Sequence, residues 1–379
     1  MSKVFMKTKE LKKFKDIIDR TVTPGSLTQV ESYEIFAPMR SFLSEHTPKE
    51  LYRFRSCTDD SIDALDKNEM FFSPGTQMND DFDGMLYYNK RTIQAWAKDV
   101  SLCYQPFISL LTAIKEGYDV PNVYDGLFSA AELVFLRSAL AQYQLSVIEA
   151  TSGQVYSYLI NTFDSVLTKL RNMIQNTKIA CFSEDIKSTA MWGHYADSSK
   201  GFAVSYDFRN GNYSNCSFCY MNNSCPDHKS VYTVPVIYGE DRFDGTEYLK
   251  WGFQYLLVNS TLTQLGLEPS FFCSKQNALC PDTFAPTKAA LYKSSAWRYE
   301  REWRMIFTCR SNQINQQEHP SVNKTPTAIY LGRKIKSIHE KIILGIATNK
   351  NIPVYKMNIR EGNKSYKLYP KLIYEPTLT

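Results

Sequence analysis

Apolar positions first recur at helical spacing. Leu11, Phe14, Ile17 and Ile18, set in the lysine-rich stretch 2–20, predict an amphipathic helix that ends at Pro24-Gly25. Val30, Tyr33 and Phe36 form a second helical pattern, interrupted at Pro38. The period then shortens. L-Y-R-F-R-S (51–56) alternates as a strand does, residues 63–68 suit a brief helix, and E-M-F-F-S-P (69–74) suits a second strand stopped at Pro74-Gly75. Residues 85–176 return to an almost wholly helical pattern, with long helical stretches over 127–150 and 153–174. Strands resume at 178–183, 201–208, 231–239, 300–308 and 328–332.

No internal repeat or long low-complexity linker interrupts this order. The pattern predicts an α+β fold with a split, mixed or antiparallel sheet as its core and a large all-helical insertion. The expected organisation is an N-terminal helical segment (1–50), a core domain (51–345) and a basic C-terminal segment (346–379). The helical insertion (85–176) and a cysteine-containing loop (212–230) interrupt the core.

The stretch W-R-Y-E-R-E-W-R-M-I-F (297–307) weaves charges through apolar residues. As a helix it has no clean apolar stripe. As a strand it places Glu300, Glu302, Arg304 and Ile306 on one face and Arg301, Trp303, Met305 and Phe307 on the other, so two carboxylates point the same way.

Composition adds bounds. A chain of 379 residues with 43% hydrophobic content buries a substantial core, and 14% aromatic content suits sheet packing. The net charge of +5 is unevenly spread: from Arg333 onward ten Lys/Arg face only Glu340, Glu361 and Glu375. Such an end either attracts phosphates and anionic partners or is a solvated lysine face. No apolar run approaches the roughly 20 residues of a membrane span, and the N-terminus lacks a signal-peptide core, so a cytoplasmic protein is expected. Nine cysteines suit a reducing compartment and do not make a small-domain disulfide framework.

Three segments carry candidate chemistry. M-N-D-D-F-D-G (78–84) groups Asp80, Asp81 and Asp83, fit either for Mg²⁺ or Ca²⁺ or for a turn that caps the next helix; the terminal glutamate of a calcium loop is absent. Cys216, Cys219, Cys225 and His228, followed by Cys273 and Cys280, offer ligands that a structural zinc accepts, although the five-residue middle spacer is short. The alternative is a cysteine-bearing loop. A-M-W-G-H-Y-A-D (190–197) combines Trp192, His194 and Tyr195, with His194 an acid/base, a ligand-binding donor or a packing residue. No G-x-S-x-G, P-loop or H-E-x-x-H pattern occurs, so serine hydrolase, P-loop NTPase and zincin readings lack motif support.

Taken in order, L-Y-R-F-R-S, F-F-S-P with M-N-D-D-F-D, A-C-F-S-E-D with M-W-G-H-Y-A-D-S-S-K-G, W-R-Y-E-R-E-W-R and I-Y-L-G resemble the domain of unknown function 2971 family across roughly 51–345. That family implies no reaction. More remotely, the order of a basic residue on an early strand, an aromatic-Ser pair on the next and Glu-x-Glu on a late strand is similar to ADP-ribosyltransferases. This resemblance implies NAD as substrate. Arg53 or Arg55 would then meet the pyrophosphate and Phe72 and Ser73 form the second motif. Glu302 would hold the ribose and Glu300 orient or deprotonate the acceptor. Tyr52, Phe72 and Tyr195 would stack on nicotinamide, with Trp192 and His194 beside them.

Cleavage of the nicotinamide–ribose bond develops oxocarbenium character, which a carboxylate stabilises. A bacterial effector modifying protein or nucleic acid would fit that chemistry. Three other readings stay open. Glu300, Glu302 and Arg304 would form structural ion pairs with Arg53 or Arg55. A binding module would hold nucleic acid or protein without catalysis, using Lys364, Lys367 and Lys371 for nucleic acid. A metal-dependent phosphodiesterase or nuclease would use Asp80, Asp83, Glu300 and Glu302.

Overall fold

Alternation along L-Y-R-F-R builds the central strand β1 (Leu51–Arg55), and its two faces meet different cores. Leu51 turns toward Phe14, Ile18, Phe42 and Leu43 of the N-terminal helices, while Tyr52 and Phe54 turn toward Met191, Trp192 and Tyr330. With both faces covered, charged residues on the central strands are buried along with the apolar ones. The computed structural model describes residues 5–124, 126–209, 233–267, 275, 277–307, 321–362 and 364–376. Cys216, Cys219, Cys225, His228 and Cys273, and with them the zinc reading, lie outside the described residues.

The remaining strands are β2 (Glu69–Phe71), β3 (Ser73–Pro74), β4 (Lys178–Ser183), β5 (Phe202–Tyr206), β6 (Thr233–Pro235), β7 (Ile237–Gly239), β8 (Tyr292–Ser294), β9 (Glu302–Phe307), β10 (Ser321–Asn323), β11 (Ala328–Leu331), β12 (Val354–Asn358) and β13 (Tyr369–Tyr374). The main sheet runs β13-β12-β11-β5-β1-β4-β9-β6, with β3 also paired to β4. Among the described residues only β11 and β12 are parallel within it, joined by the crossover helix Ser337–Asn349. The fold is therefore α+β on a mixed sheet. One edge of β4 pairs with β3 at Lys178 and Ile179 and with β1 at Ser183.

The helices Lys90–Lys98, Gln105–Glu116, Ala130–Leu140, Leu145–Asn161 and Phe163–Gln175 gather a second core. That core is completed from outside the insertion by the helix Thr246–Gln264, whose Leu249, Phe253 and Leu257 recur on one face. The helical body is thus wider than 85–176. Within the C-terminal segment, β12 and β13 extend the main sheet.

The expected strand over 300–308 begins two residues late. Ser295–Glu300 is a 3-10 turn and Arg301 adopts a left-handed φ of 49° before β9 starts. The Ser183 hydroxyl donates to the Glu300 carbonyl at 2.6 Å, and the Glu184 amide donates to that of Arg301. These bonds to β4 satisfy the backbone that a ladder would have used.

The link from the helix Thr189–Tyr195 to β5 is equally specified. Asp197, Ser198 and Ser199 all have positive φ, and the chain then passes so close to β1 that a Cβ on Gly201 would lie 2.1 Å from the Arg55 carbonyl oxygen. Because the obstacle is backbone, it cannot rotate away. Gly201→Ala is therefore expected to lower stability by about 1–3 kcal/mol. Urea unfolding reads this as a reduced midpoint with an unchanged slope.

Candidate functional site

Residues from four segments meet at one buried cluster of charge. β9 places Glu302 and Arg304 on the same face, β8 supplies Lys293, the 3-10 turn supplies Glu300 and the loop after β3 supplies Asp83. The Arg304 guanidinium donates from Nε to Glu302 Oε1 at 2.7 Å and from Nη2 to Glu302 Oε2 at 3.1 Å. It also reaches Asp83 Oδ1 at 2.5 Å and, through Nη1, the Ala290 carbonyl at 2.6 Å. The Lys293 ammonium donates to Glu300 Oε2 at 2.7 Å and Glu302 Oε2 at 2.9 Å, with Asp83 Oδ2 at 3.5 Å.

Arg304 is fully buried and the other four are nearly so. Taking these charges out of water is repaid only because the geometry satisfies their donors and acceptors together. Three carboxylates against two cations leave the formal balance one negative charge in excess, and the environment assigns that excess unequally. Burial alone would raise the Glu302 carboxyl, but Arg304 and then Lys293 overcome it and hold Glu302 well below the usual carboxylate range. Burial, and next the charge of Glu302, push Glu300 up against the opposing pull of Lys293 and Tyr195. Arg304 stays ionised because Asp83 and Glu302 outweigh its burial.

Residues beside Glu300 are less buried than Glu300 itself. The Tyr195 hydroxyl donates to Glu300 Oε1, and Tyr195 itself is half-buried. His194 is exposed, with its ring 6.2 Å from that of the exposed Tyr299. Trp297, 6.1 Å from Tyr299, lies over the Lys293 ammonium at 5.1 Å. Aromatic rings thus flank a carboxyl whose proton affinity is raised, next to a hydroxyl that donates to it.

Other expected site residues fall elsewhere. Register along β1, β4 and β9 sets Tyr52, Ser183 and Glu302 on one face, so Arg53 lies on the opposite one with Phe182 and Trp303. Arg55 shares the Arg53 face. The arginine and lysine that pair with the two glutamates are Arg304 and Lys293, not Arg53 or Arg55. Phe72 and Trp192 are wholly buried, Trp192 donating its indole N–H to the Ile186 carbonyl at 2.7 Å. Tyr52 is buried and donates to Glu50. Ser73 pairs opposite Ile179, four residues along β4 from Ser183, roughly 13 Å from the Glu302 rung.

Asp80 is buried in a turn that accepts the Phe82 amide, apart from the cluster that holds Asp83. Among the described residues no group of three or more His, Cys, Asp or Glu side chains is arranged to hold a metal ion; the carboxylates that gather do so around Lys293 and Arg304. Cys280 is a buried free thiol. Lys364, Lys367 and Lys371 are exposed on and just before β13. No described helix is long and apolar enough to cross a membrane.

Lys293 and Tyr238, which accepts the Glu302 amide N–H at 2.9 Å, had no signal in the local pattern. Lys293 sits in a three-residue strand of its own, paired with β7.

Comparison with known proteins gives one match, over residues 191–305, to the model of a protein of unknown function family, DUF2971. The matched stretch is just under a third of the chain. No curated protein and no solved structure matches it. The DUF2971 region contains Tyr195, Lys293, Glu300, Glu302 and Arg304, whereas Asp83 reaches the cluster from outside it.

Removing one partner of the cluster strands the others. Arg304→Met leaves Asp83 and Glu302 without their guanidinium and is expected to cost about 3–5 kcal/mol in urea unfolding. The pH dependence follows from the two opposite shifts. Glu302, depressed in the fold, contributes stability that is present above its unfolded value near ~4.3 and is lost as pH falls toward its folded value. Glu300, raised in the fold, contributes in the opposite sense: its contribution is complete below ~4.3 and declines as pH rises through its folded value. Thermal melting across pH should therefore show the acid loss in both wild type and Glu300→Gln, and the loss on the rising side in wild type only.

Proposed function

We infer that the chain is a transferase working on a glycosidic bond, with Glu300 as its acid/base carboxyl and NAD as the substrate best fitted by the more remote resemblance. One observation carries this reading: Glu300 and Glu302 share a single lysine ammonium, yet their surroundings push their proton affinities in opposite directions. A carboxyl pair so divided is suited to separate roles, one group staying ionised while its neighbour exchanges a proton.

The roles are not those expected from the strand alone. Glu302 has both oxygens engaged by Arg304 and Lys293 and serves as the fixed negative charge beneath the site. Glu300 is the carboxyl bonded to the half-buried Tyr195. In this reading its ionised form stabilises positive charge on the ribose C1′ as the glycosidic bond breaks and nicotinamide leaves with the electron pair, and it then takes the proton that the acceptor loses as the new bond to C1′ forms. His194, Trp297 and Tyr299 offer the flat surfaces on which a nicotinamide or adenine ring would stack. Arg53 and Arg55, on the other face of the sheet, take no part in this contact.

Nicotinamide release from NAD, followed with purified protein alone and with cell lysate as a source of acceptor, tests the proposal. Wild type is expected to turn over. Glu300→Gln should fall by about 100-fold or more, and Tyr195→Phe by less, both folded by circular dichroism. Absence of turnover with every acceptor source, together with no NAD-induced rise in melting temperature, rejects it.

A further inference from the structure

β1 carries a second buried guanidinium, and its setting is the reverse of that around Arg304. Arg53 is 7% exposed and donates from Nη2 to the Phe71 carbonyl. Its Nε and Nη1 are buried and, among the described residues, have no hydrogen-bond partner. Arg55, two residues on and on the same face, is partly exposed. Among the described residues no carboxylate figures in the groups acting on either guanidinium; burial first, and then the charge of Arg55, lower Arg53 to about 9.

Apolar groups wall much of this pair, with Tyr206 and Cys181 the other titratable side chains that act on it. Val204 lies across from Arg53 and Phe202 across from Arg55 on β5, and the Phe182 ring centroid is 5.9 Å from the Arg53 guanidinium carbon. Leaving a buried guanidinium with unused donors is costly, and a second cation beside it adds to the cost. The same surroundings strengthen the attraction for any anion that reaches the pair, because little water screens it. Two adjacent guanidinium groups match the double charge of a phosphate, and the unused donors on Nε and Nη1 match its oxygens.

We propose that Arg53 and Arg55 form a binding site for a phosphate-type oxyanion, reached from the Arg55 end of β1 and lying on the sheet face opposite the Glu300–Glu302 cluster. The occupant is inorganic phosphate or the phosphate group of a larger molecule, since both present the same oxygens. This site is independent of the transferase reading, because neither arginine belongs to the ion cluster.

The test titrates full-length protein with inorganic phosphate and, separately, with ribose 5-phosphate, by calorimetry and by thermal melting at matched ionic strength in chloride. A saturable heat and a rise in melting temperature are expected with at least one of the two, and which one responds shows whether free phosphate suffices or a phosphoester is required. Arg55→Gln should weaken the affinity at least tenfold. Arg53→Met should abolish binding while melting, without ligand, at or above the wild-type temperature, because it removes an unbalanced buried charge. Should Arg53→Met fail to fold, the Arg55→Gln affinity decides. No response of the wild type to either ligand, or an undiminished response in Arg55→Gln, overturns the proposal. Nicotinamide release by Arg55→Gln is measured in parallel, so that loss of this site and failure of the transferase reading are read separately.

Discussion

Arg304 is the residue on which the centre of the molecule depends. A guanidinium with no contact with water is tolerated only when each nitrogen has a partner, and here Glu302, Asp83 and the Ala290 carbonyl supply them. Those partners come from β9, from the loop after β3 and from the turn before β8. The requirement to neutralise one charge therefore fixes how the segment from Ala290 to β9 meets the distant loop that carries Asp83. Lys293 extends the same demand to Glu300, and Glu300 draws in the helix that bears Tyr195.

This dependence explains why the cluster is both a framework and a candidate site. Its inner half, Arg304 with Glu302 and Asp83, is closed and serves to hold geometry. Its outer half, Glu300 with Lys293 and Tyr195, carries the strained proton balance, because three carboxylates share two cations and burial makes the last negative charge costly. Chemistry, where a fold like this has any, is available at the group whose charge is least secure.

The two buried arginines make the comparison sharp. Arg53 and Arg304 belong to strands of one sheet and are both removed from water, yet one is surrounded by carboxylates and the other by Phe182, Val204 and a like charge. Alternation along β1 and β9, read separately, treats them as equivalent. Register across β4 separates them, since Ser183 lies opposite both Tyr52 and Glu302 and so sends Arg53 to the other face. The ADP-ribosyltransferase resemblance supposed that Arg53 or Arg55 and Glu302 surround one ligand, and ladder register sets them on opposite faces.

Local pattern was sufficient for much of the fold. The strand at 178–183, the core strands at 51–55 and 328–331, and the helical character of 85–176 follow from periodicity, because side-chain direction within an element depends only on its own backbone. Local pattern also marked Glu300, Glu302, Asp83 and Tyr195 as unusual in composition. What it could not supply was partnership. Lys293 is one lysine among many until β8 pairs with β7, and Asp83 resembles a turn residue until Arg304 reaches it across the sheet. The break at Arg301, which takes Glu300 out of the strand, is likewise set by bonds to Ser183 and Glu184 from a segment more than a hundred residues earlier. Periodicity is a property of neighbours in the chain, whereas the balance of buried charge is a property of neighbours in space, and only the folded chain decides it.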